Sequence, residues 1–315
     1  MKTLSITLLA IAAAASTQVK AQQARSGPFT VSETGKSYAV LEHAVKSIGG
    51  GQGTIIIRPG TYQQCAVQTA GQIAYRAAVP GRVIFDRATC EGKAALVLRG
   101  RGASVDGIIF QGMVVHDANG AGIRLEKGNL KVTRSIFRDS EQGILTGINK
   151  SGSIIIDQST FSGLGRCDRG LACAHSIYIG DYGSLTVTRS RFEKGRGGHY
   201  VKTRSARVKI SNNAFDDTRG YTTNYMIDLA AGATGSITGN TFVQGQNKEN
   251  YSAFITVAPE GRVNSSAGLS ITNNDAKLGT GVQRNTTFLA DWSGDRINLG
   301  ANRLGRGLKP FDRRK

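Results

Sequence analysis

The stretch Ser184-Leu-Thr-Val-Thr-Arg-Ser-Arg-Phe192 decides the fold, because it returns four more times in altered form. Its counterparts are Leu130-Lys-Val-Thr-Arg-Ser-Ile-Phe137, Ser153-Ile-Ile-Ile-Asp-Gln-Ser-Thr-Phe161, Arg207-Val-Lys-Ile-Ser-Asn-Asn-Ala-Phe215 and Gly235-Ser-Ile-Thr-Gly-Asn-Thr-Phe242. Each opens with the apolar and polar alternation of a strand that has one buried face, and each closes on Phe. The closing Phe recurs after 24, 31, 23 and 27 residues. An irregular period in the twenties, with length variation confined to loops, is what stacked β-coils produce, since each coil buries its apolar side only against its neighbours. Leucine-rich repeats need regularly placed leucines, which are absent. A β-sandwich would turn more often and carry no constant Phe. The sequence therefore predicts an all-β chain, a single-stranded right-handed parallel β-helix with the recurring Phe stacked inside.

Outward from that core, Ser37-Tyr-Ala-Val-Leu-Glu-His-Ala-Val-Lys-Ser-Ile48 sets Tyr38, Leu41, Ala44, Val45 and Ile48 at helical spacing. That suits an N-terminal helix capping the first coil. A strand is expected next, at Thr54-Ile-Ile-Ile-Arg58. The β-helix domain is expected over residues 22–304. The basic tail 305–315 shows no period and is expected to be mobile.

At the other end, Lys2, the apolar run Leu4 to Ala15 and Val19-Lys20-Ala21 read as a secretory signal peptide over residues 1–21. The run is too short for a membrane span. Cleavage after Ala21 would remove Lys2 and Lys20 and lower the formal net charge from +18 to +16. A basic protein outside the cytoplasm, periplasmic or secreted, attracts polyanions. The candidates are acidic polysaccharide, nucleic acid and anionic membrane surface. Aromatics are not interleaved with the cations as a base-stacking platform requires, which counts against single-stranded nucleic acid. Acidic polysaccharide, with no nucleic acid, is the expected partner of a monomer. Cys65, Cys90, Cys167 and Cys173 are an even set, so disulfides are expected, with the local pairs Cys65–Cys90 and Cys167–Cys173 favoured. No CxxC and no His at ligand spacing supports zinc.

A second strand lies between the Phe-ending units. Aligning Ile123, Ile144, Ile177, Val201, Ile227 and Ile255 as inward residues makes the next position outward, because strand side chains alternate. That outward column reads Arg124, Leu145, Tyr178, Lys202, Asp228, Thr256; two residues on, a second reads Glu126, Gly147, Gly180, Arg204, Ala230, Ala258. His175, His199 and Tyr225 align just before the strands. Tyr178, Lys202 and Asp228 should stand in one row on a solvent-facing wall, with Gly180 and Ala230 leaving open space around the Arg204 guanidinium.

A phenol, an ammonium, a guanidinium and imidazoles suit β-elimination of a uronic-acid polymer. That reaction needs a neutralised carboxylate, removal of the C5 proton and protonation of the leaving O4. Arg204 is the natural carboxylate clamp. Lys202 serves as base or as the clamp's assistant, Tyr178 as proton donor or base, and His199 as a competing proton-transfer group. His175, Arg124, Asp228, Tyr225 and Glu126 complete the expected site as substrate-binding residues. Hydrolysis needs two carboxylates about 5–10 Å apart, and Asp228 and Glu126 are several coils apart; Asp216-Asp217 falls in an expected turn. No dense acidic cluster indicates Ca²⁺, although Asp228 could share one with substrate, so no metal or other cofactor is expected.

Asn119-Gly-Ala-Gly-Ile-Arg124, Gln142-Gly-Ile-Leu145, His175-Ser-Ile-Tyr178 with Gly180, Gly198-His199-Tyr-Val-Lys202-Thr-Arg204 and Asn224-Tyr225-Met-Ile-Asp228 occur in that order. Over roughly residues 37–300 the chain resembles bacterial secreted right-handed β-helix repeat proteins of the pectate-lyase-like superfamily. Where that group has Lys-Ser-Arg-Ala, this chain has Lys202-Thr-Arg-Ser205 and keeps both cations. The resemblance implies a polysaccharide ligand; the superfamily spans lyases, polygalacturonases, epimerases and adhesins. The polygalacturonase carboxylate set and the calcium aspartates of classical pectate lyases are not recognisable here. A polysaccharide lyase is the leading expectation. Its rivals are a non-catalytic polysaccharide-binding or surface-organising protein and a carbohydrate C5-epimerase.

Overall fold

The coils stack because three short strands per turn pair with their equivalents in the turns before and after. The structure, a computed structural model, describes residues 27–168 and 170–315; the expected signal peptide and its Val19-Lys20-Ala21 site lie outside them. One sheet has 12 strands and the other two have 10 each. Nearly all pairings are parallel between consecutive coils, as in Ser184–Arg207, Phe192–Phe215 and Lys202–Asp228. This is a parallel β-solenoid, and the twist of its strands favours a right-handed crossover.

Alternation puts Leu130, Ile154, Leu185, Val208 and Ile237 inward on the first sheet, all of them buried. From Gly102–Asp106 to Ser270–Thr272, each first-sheet strand is followed by a residue in the left-handed region, such as Arg134 (φ 48°), Arg189 (φ 47°), Asn212 (φ 58°) or Asn273 (φ 57°). That single residue turns the chain sharply into the second sheet. The next position carries a small polar side chain that closes the corner. Asn213, Asn240, Asn274 and Asn302 form a ladder there, each Nδ2 donating to the next Oδ1 at 2.9, 3.0 and 2.9 Å. Ser135, Ser159 and Ser190 do the same work in earlier coils, with backbone N–H groups donating to the next hydroxyl at 3.3 and 3.1 Å. Buried corner amides are thereby satisfied along the axis.

The second sheet carries the Phe ladder. Phe137, Phe161, Phe192, Phe215 and Phe242 stack with ring centroids 4.9, 4.8, 4.9 and 4.9 Å apart, and Phe110 and Phe85 extend the column. Spacing equals the distance between paired strands, so ring contact follows from register.

The capping helix is present but shorter than expected, over Leu41–Ile48, with Leu41, Ala44 and Val45 buried on the first coil. Tyr38 belongs instead to the strand Lys36–Tyr38, which pairs antiparallel with Phe29–Val31. The helical spacing counted Tyr38 because it faces the same apolar end. The next strand runs Gln52–Ile57.

The tail also differs from expectation. Leu308–Arg313 forms a strand in parallel register with Thr286–Asp291, and Phe311 packs beside Leu289. Coil stacking thus continues past residue 304. One pairing strand needs no repeat of its own to be recruited by an existing edge, which is why the lack of period misled.

Both expected disulfides form, Cys65–Cys90 and Cys167–Cys173, which fits an oxidising compartment. No described helix is long and apolar enough to cross a membrane.

Candidate active site

The site is built on the outward face of the third sheet, and strand register decides its composition. Leu145 pairs with Tyr178, Tyr178 with Lys202, Lys202 with Asp228, and Asp228 with Thr256, so the sequence-predicted column stands as one row across the coils. Just before those strands His175 and His199 stack with centroids 5.0 Å apart, and His199 stacks on Tyr225 at 5.5 Å. His175 meets the Tyr178 ring edge-on at 5.4 Å.

The row points away from the coil interior, yet it is largely covered. Lys202 retains 8% exposure and Asp228 1%, while His175 and His199 are also buried. This corrects the expectation of an open solvent-facing wall. The Gly180 column is not open either: a side chain there would meet the Gly147 carbonyl oxygen at 2.2 Å, and Ala230 is buried. Small residues occur because neighbouring corners approach closely. The space beside Arg204 is occupied by Glu260, which the sequence reading missed.

Glu260 joins the two cations. Its Oε1 bonds to Lys202 Nζ and its Oε2 to an Arg204 NH2 group. Arg204 Nε donates to the Tyr178 hydroxyl oxygen at 3.1 Å. Lys202 Nζ lies 3.5 Å from Asp228 Oδ2 and 5.6 Å from the centre of the Tyr178 ring. Asp228 Oδ1 accepts from Thr256 Oγ1 at 2.9 Å, and its Oδ2 lies 3.5 Å from His199 Nε2. His175 Nδ1 accepts the His199 backbone N–H at 3.0 Å, which leaves the His175 ring proton on Nε2.

Burial sets the charge states. Loss of water pushes Asp228 up to about 6 against the opposing pull of Lys202. Loss of water and the nearby Lys202 charge push His175 down to about 3. His199 is pushed down as well, by burial and then by its imidazole neighbour and Lys202. Both imidazoles are neutral at pH 7. Burial raises the Glu260 carboxyl, but the Lys202 hydrogen bond and the charges of Lys202 and Arg204 outweigh it and hold the group below the usual range.

The structure therefore brings together Tyr178, Lys202, Arg204, Asp228, His175, His199 and Tyr225. It does not bring in the other two expected residues. Arg124 occupies the same column, but the Leu145 rung separates it from Tyr178. Glu126 is held by Lys93 Nζ at 2.9 Å and Arg99 Nε at 2.5 Å in a separate ion-pair cluster. Asp217 opens a turn, as expected, its carbonyl accepting the Gly220 N–H at 2.8 Å, but its side chain is fully buried, accepting from the Tyr200 hydroxyl at 2.7 Å and from Lys248 Nζ at 3.1 Å. The one grouping of metal-ligand type among the described residues is Cys167, Cys173 and Glu249, and its cysteines are joined in a disulfide. Asp228 offers little to a divalent cation, because an ammonium already lies beside its Oδ2.

No signal in the chain could have found Glu260. It lies 58 and 56 residues from its two partners, alone after Pro259 in a corner. Only the stacking of coils carries it back over them.

The architecture has counterparts among known proteins. An alginate lyase from Paenibacillus sp. str. FPU-7 superposes with a TM-score of 0.64 at 17% identity, covering 86% of this chain and 94% of that one. The ORF18 protein of Geobacillus virus E2 superposes with a TM-score of 0.55 at 15% identity, covering 98% of this chain and 63% of that one. At such identities the likeness is one of fold. No curated protein matches the chain. The family model of the right-handed beta helix region matches residues 83–288, which takes in the Phe ladder and the whole Tyr178–Asp228 row. The chain belongs to the right-handed β-helix family.

Proposed function

We propose that the protein is a polysaccharide lyase that cleaves a uronic-acid-containing polymer by β-elimination. One observation carries this reading: Lys202 and Arg204 each hold one oxygen of a single carboxylate, with the Tyr178 hydroxyl on another N–H of the same guanidinium. Two cations on one carboxylate are what acidifying the C5 proton of a uronate requires. They withdraw charge from the sugar's carboxylate and receive the charge that develops there after proton loss. Tyr178 is the group left to move the proton. In the reading favoured here its oxygen takes the proton from C5 as phenolate. The electron pair forms the C4–C5 double bond, O4 leaves, and the same proton passes from Tyr178 to O4. Tyr178 ends as it began, and no other reactant is consumed.

Lys202 then acts as the clamp's partner rather than as base, since an ammonium facing Asp228 and Glu260 has no free lone pair. Asp228 holds Lys202 in place, and Thr256 and His199 hold Asp228. His199 and His175 are positioning residues: they are buried, neutral and stacked beneath the row. A polymer lying along the axis would pass from Tyr178 over Leu145 to Arg124, which is placed to meet a carboxylate further along it. The Paenibacillus neighbour, named as an alginate lyase, makes polyuronates the first substrates to try.

Incubation with alginate, polygalacturonate and glucuronate-containing polymers tests the proposal through the ultraviolet absorbance of the unsaturated uronate. A C5-epimerase would instead exchange solvent deuterium into intact polymer. A non-catalytic binding protein would show neither signal. The absence of new absorbance across the panel, with folded protein, would refute the lyase.

A further inference from the structure

We propose that Glu260 is the site's own stand-in for the substrate carboxylate, an internal competitor that a sugar entering the subsite of Lys202 and Arg204 must displace. The inference rests on the proposed binding of a uronate at Lys202 and Arg204, and it adds a residue to which neither sequence pattern nor comparison assigns a role.

Charge balance is the first argument. Lys202 and Arg204 face two acids, Asp228 and Glu260. Asp228 is buried and tied to Thr256 and Lys202, so it stays. Glu260 keeps 37% of its side chain exposed and is the member of the set that can leave. A uronate entering as Glu260 departs leaves two cations facing two carboxylates, as before. A neutral sugar would have to strip Glu260 from both cations and return nothing. That asymmetry discriminates against neutral polymers by leaving charges unpaired rather than by shape.

The second argument is mechanical. Ala258, at φ 57°, turns the chain sharply after the strand Ala253–Val257. The Glu260 N–H donates to the Ala230 carbonyl at 3.0 Å, and Asn264 Nδ2 donates to the carbonyls of Arg204 and Gly232 at 3.1 Å each. The corner is therefore fixed to the coils beneath it. Exchange needs only a side-chain rotation of Glu260 into solvent, with no backbone movement. Affinity then falls by the fraction of time that the subsite is vacated.

The test is calorimetric titration of tetrasaccharides of mannuronate, guluronate and galacturonate into proteins carrying Tyr178→Phe, with and without Glu260→Gln or Glu260→Ala. Both Glu260 variants are expected to bind at least one acidic tetrasaccharide about tenfold more tightly. The carboxyl-reduced form of the same sugar binds more weakly throughout and is expected to tighten by the same factor, because Glu260 must leave the two cations for either ligand. Equal or weaker binding of the acidic sugar in both variants overturns the inference, as does tightening of the acidic form alone, which would mean that Glu260 repels anions without occupying the subsite. The two readings fail separately. Elimination by the unaltered protein without tighter binding in the Glu260 variants leaves the lyase and removes the exchange. Tighter binding without elimination by the unaltered protein leaves the exchange and removes the lyase. Binding in none of the proteins, together with no elimination by the unaltered protein, removes both.

Discussion

Two columns of side chains run along this molecule under the same register, and they differ in one respect. Inside the second sheet the rungs repeat: Phe137, Phe161, Phe192, Phe215 and Phe242 stack ring on ring, and at the adjoining corner Asn213, Asn240, Asn274 and Asn302 pass hydrogen bonds along the axis. On the outer face of the third sheet no two neighbouring rungs agree: Arg124, Leu145, Tyr178, Lys202, Asp228 and Thr256 follow one another. Parallel pairing puts every residue about 4.8 Å from its equivalent in the next coil. Where equivalents are alike, each gains the same contact and no rung is special. Where they differ, unlike groups are forced into contact, and buried charges must find partners. A uniform column signals stability, and a mixed polar column signals chemistry.

The comparison breaks first if the mixed column proves structural. Tyr178→Phe should lower turnover of the cleaved polymer by roughly 10²–10⁴-fold, the range for a lost proton-transfer group. Lys202→Ala should cost about 10²–10³-fold, as expected for a lost stabiliser of developing negative charge. Tyr178→Phe should melt within a few degrees of the parent protein, whereas Lys202→Ala leaves the buried Asp228 without its cation and should cost about 3–5 kcal/mol, so its turnover is read per folded molecule. Full turnover in either would remove the site.

The uniform column should give the opposite pair of results. Phe192→Ala is expected to lower stability by about 3–5 kcal/mol, because the ring is buried between Phe161 and Phe215. Turnover per folded molecule should survive, since the ladder lies on a different sheet from the row. Denaturant titration alongside steady-state rates checks this. A stable variant without activity would mean the two columns are coupled.

A third experiment sharpens the contrast through pH. Burial raises Asp228 from 3.8 to about 6, so the folded chain holds this proton more tightly than the unfolded chain does. Its contribution to stability is therefore complete below pH 3.8 and fades as pH rises through 6. The whole effect is about 3 kcal/mol, with a slope confined to that window. Asp228→Asn should flatten this part of the stability curve, and an unchanged slope would assign it to another group. The smallest effect is expected at the corner. Asn240→Ala leaves the Asn213 N–H and the Ile210 carbonyl without their partner and should cost about 1–3 kcal/mol.

Much of this was legible because the relevant information is local and repeats. Phe spacing exposed the coils, and strand alternation carried the reading from Ile177, Val201 and Ile227 to Tyr178, Lys202 and Asp228 in correct register. The same logic failed where repetition ends. Tyr38 was counted into a helix and lies in an antiparallel strand, and residues 308–313 have no period yet extend the third sheet. It failed again for burial. Alternation states which side of a strand a residue faces, not whether a neighbouring corner covers it.

Composition, period and alternation were enough to determine the solenoid, its Phe column and the residues aligned along the third sheet, because each depends on neighbours at repeat or strand spacing; the disulfide pairs were favoured by proximity in the chain and fixed by the fold. Tertiary structure alone decided that the row is roofed, that Arg124 and Glu126 stand apart from it, and that Glu260 bridges Lys202 and Arg204. Those facts depend on loops of unequal length, which set how far each corner reaches over the coils beside it, and no periodic pattern encodes that reach.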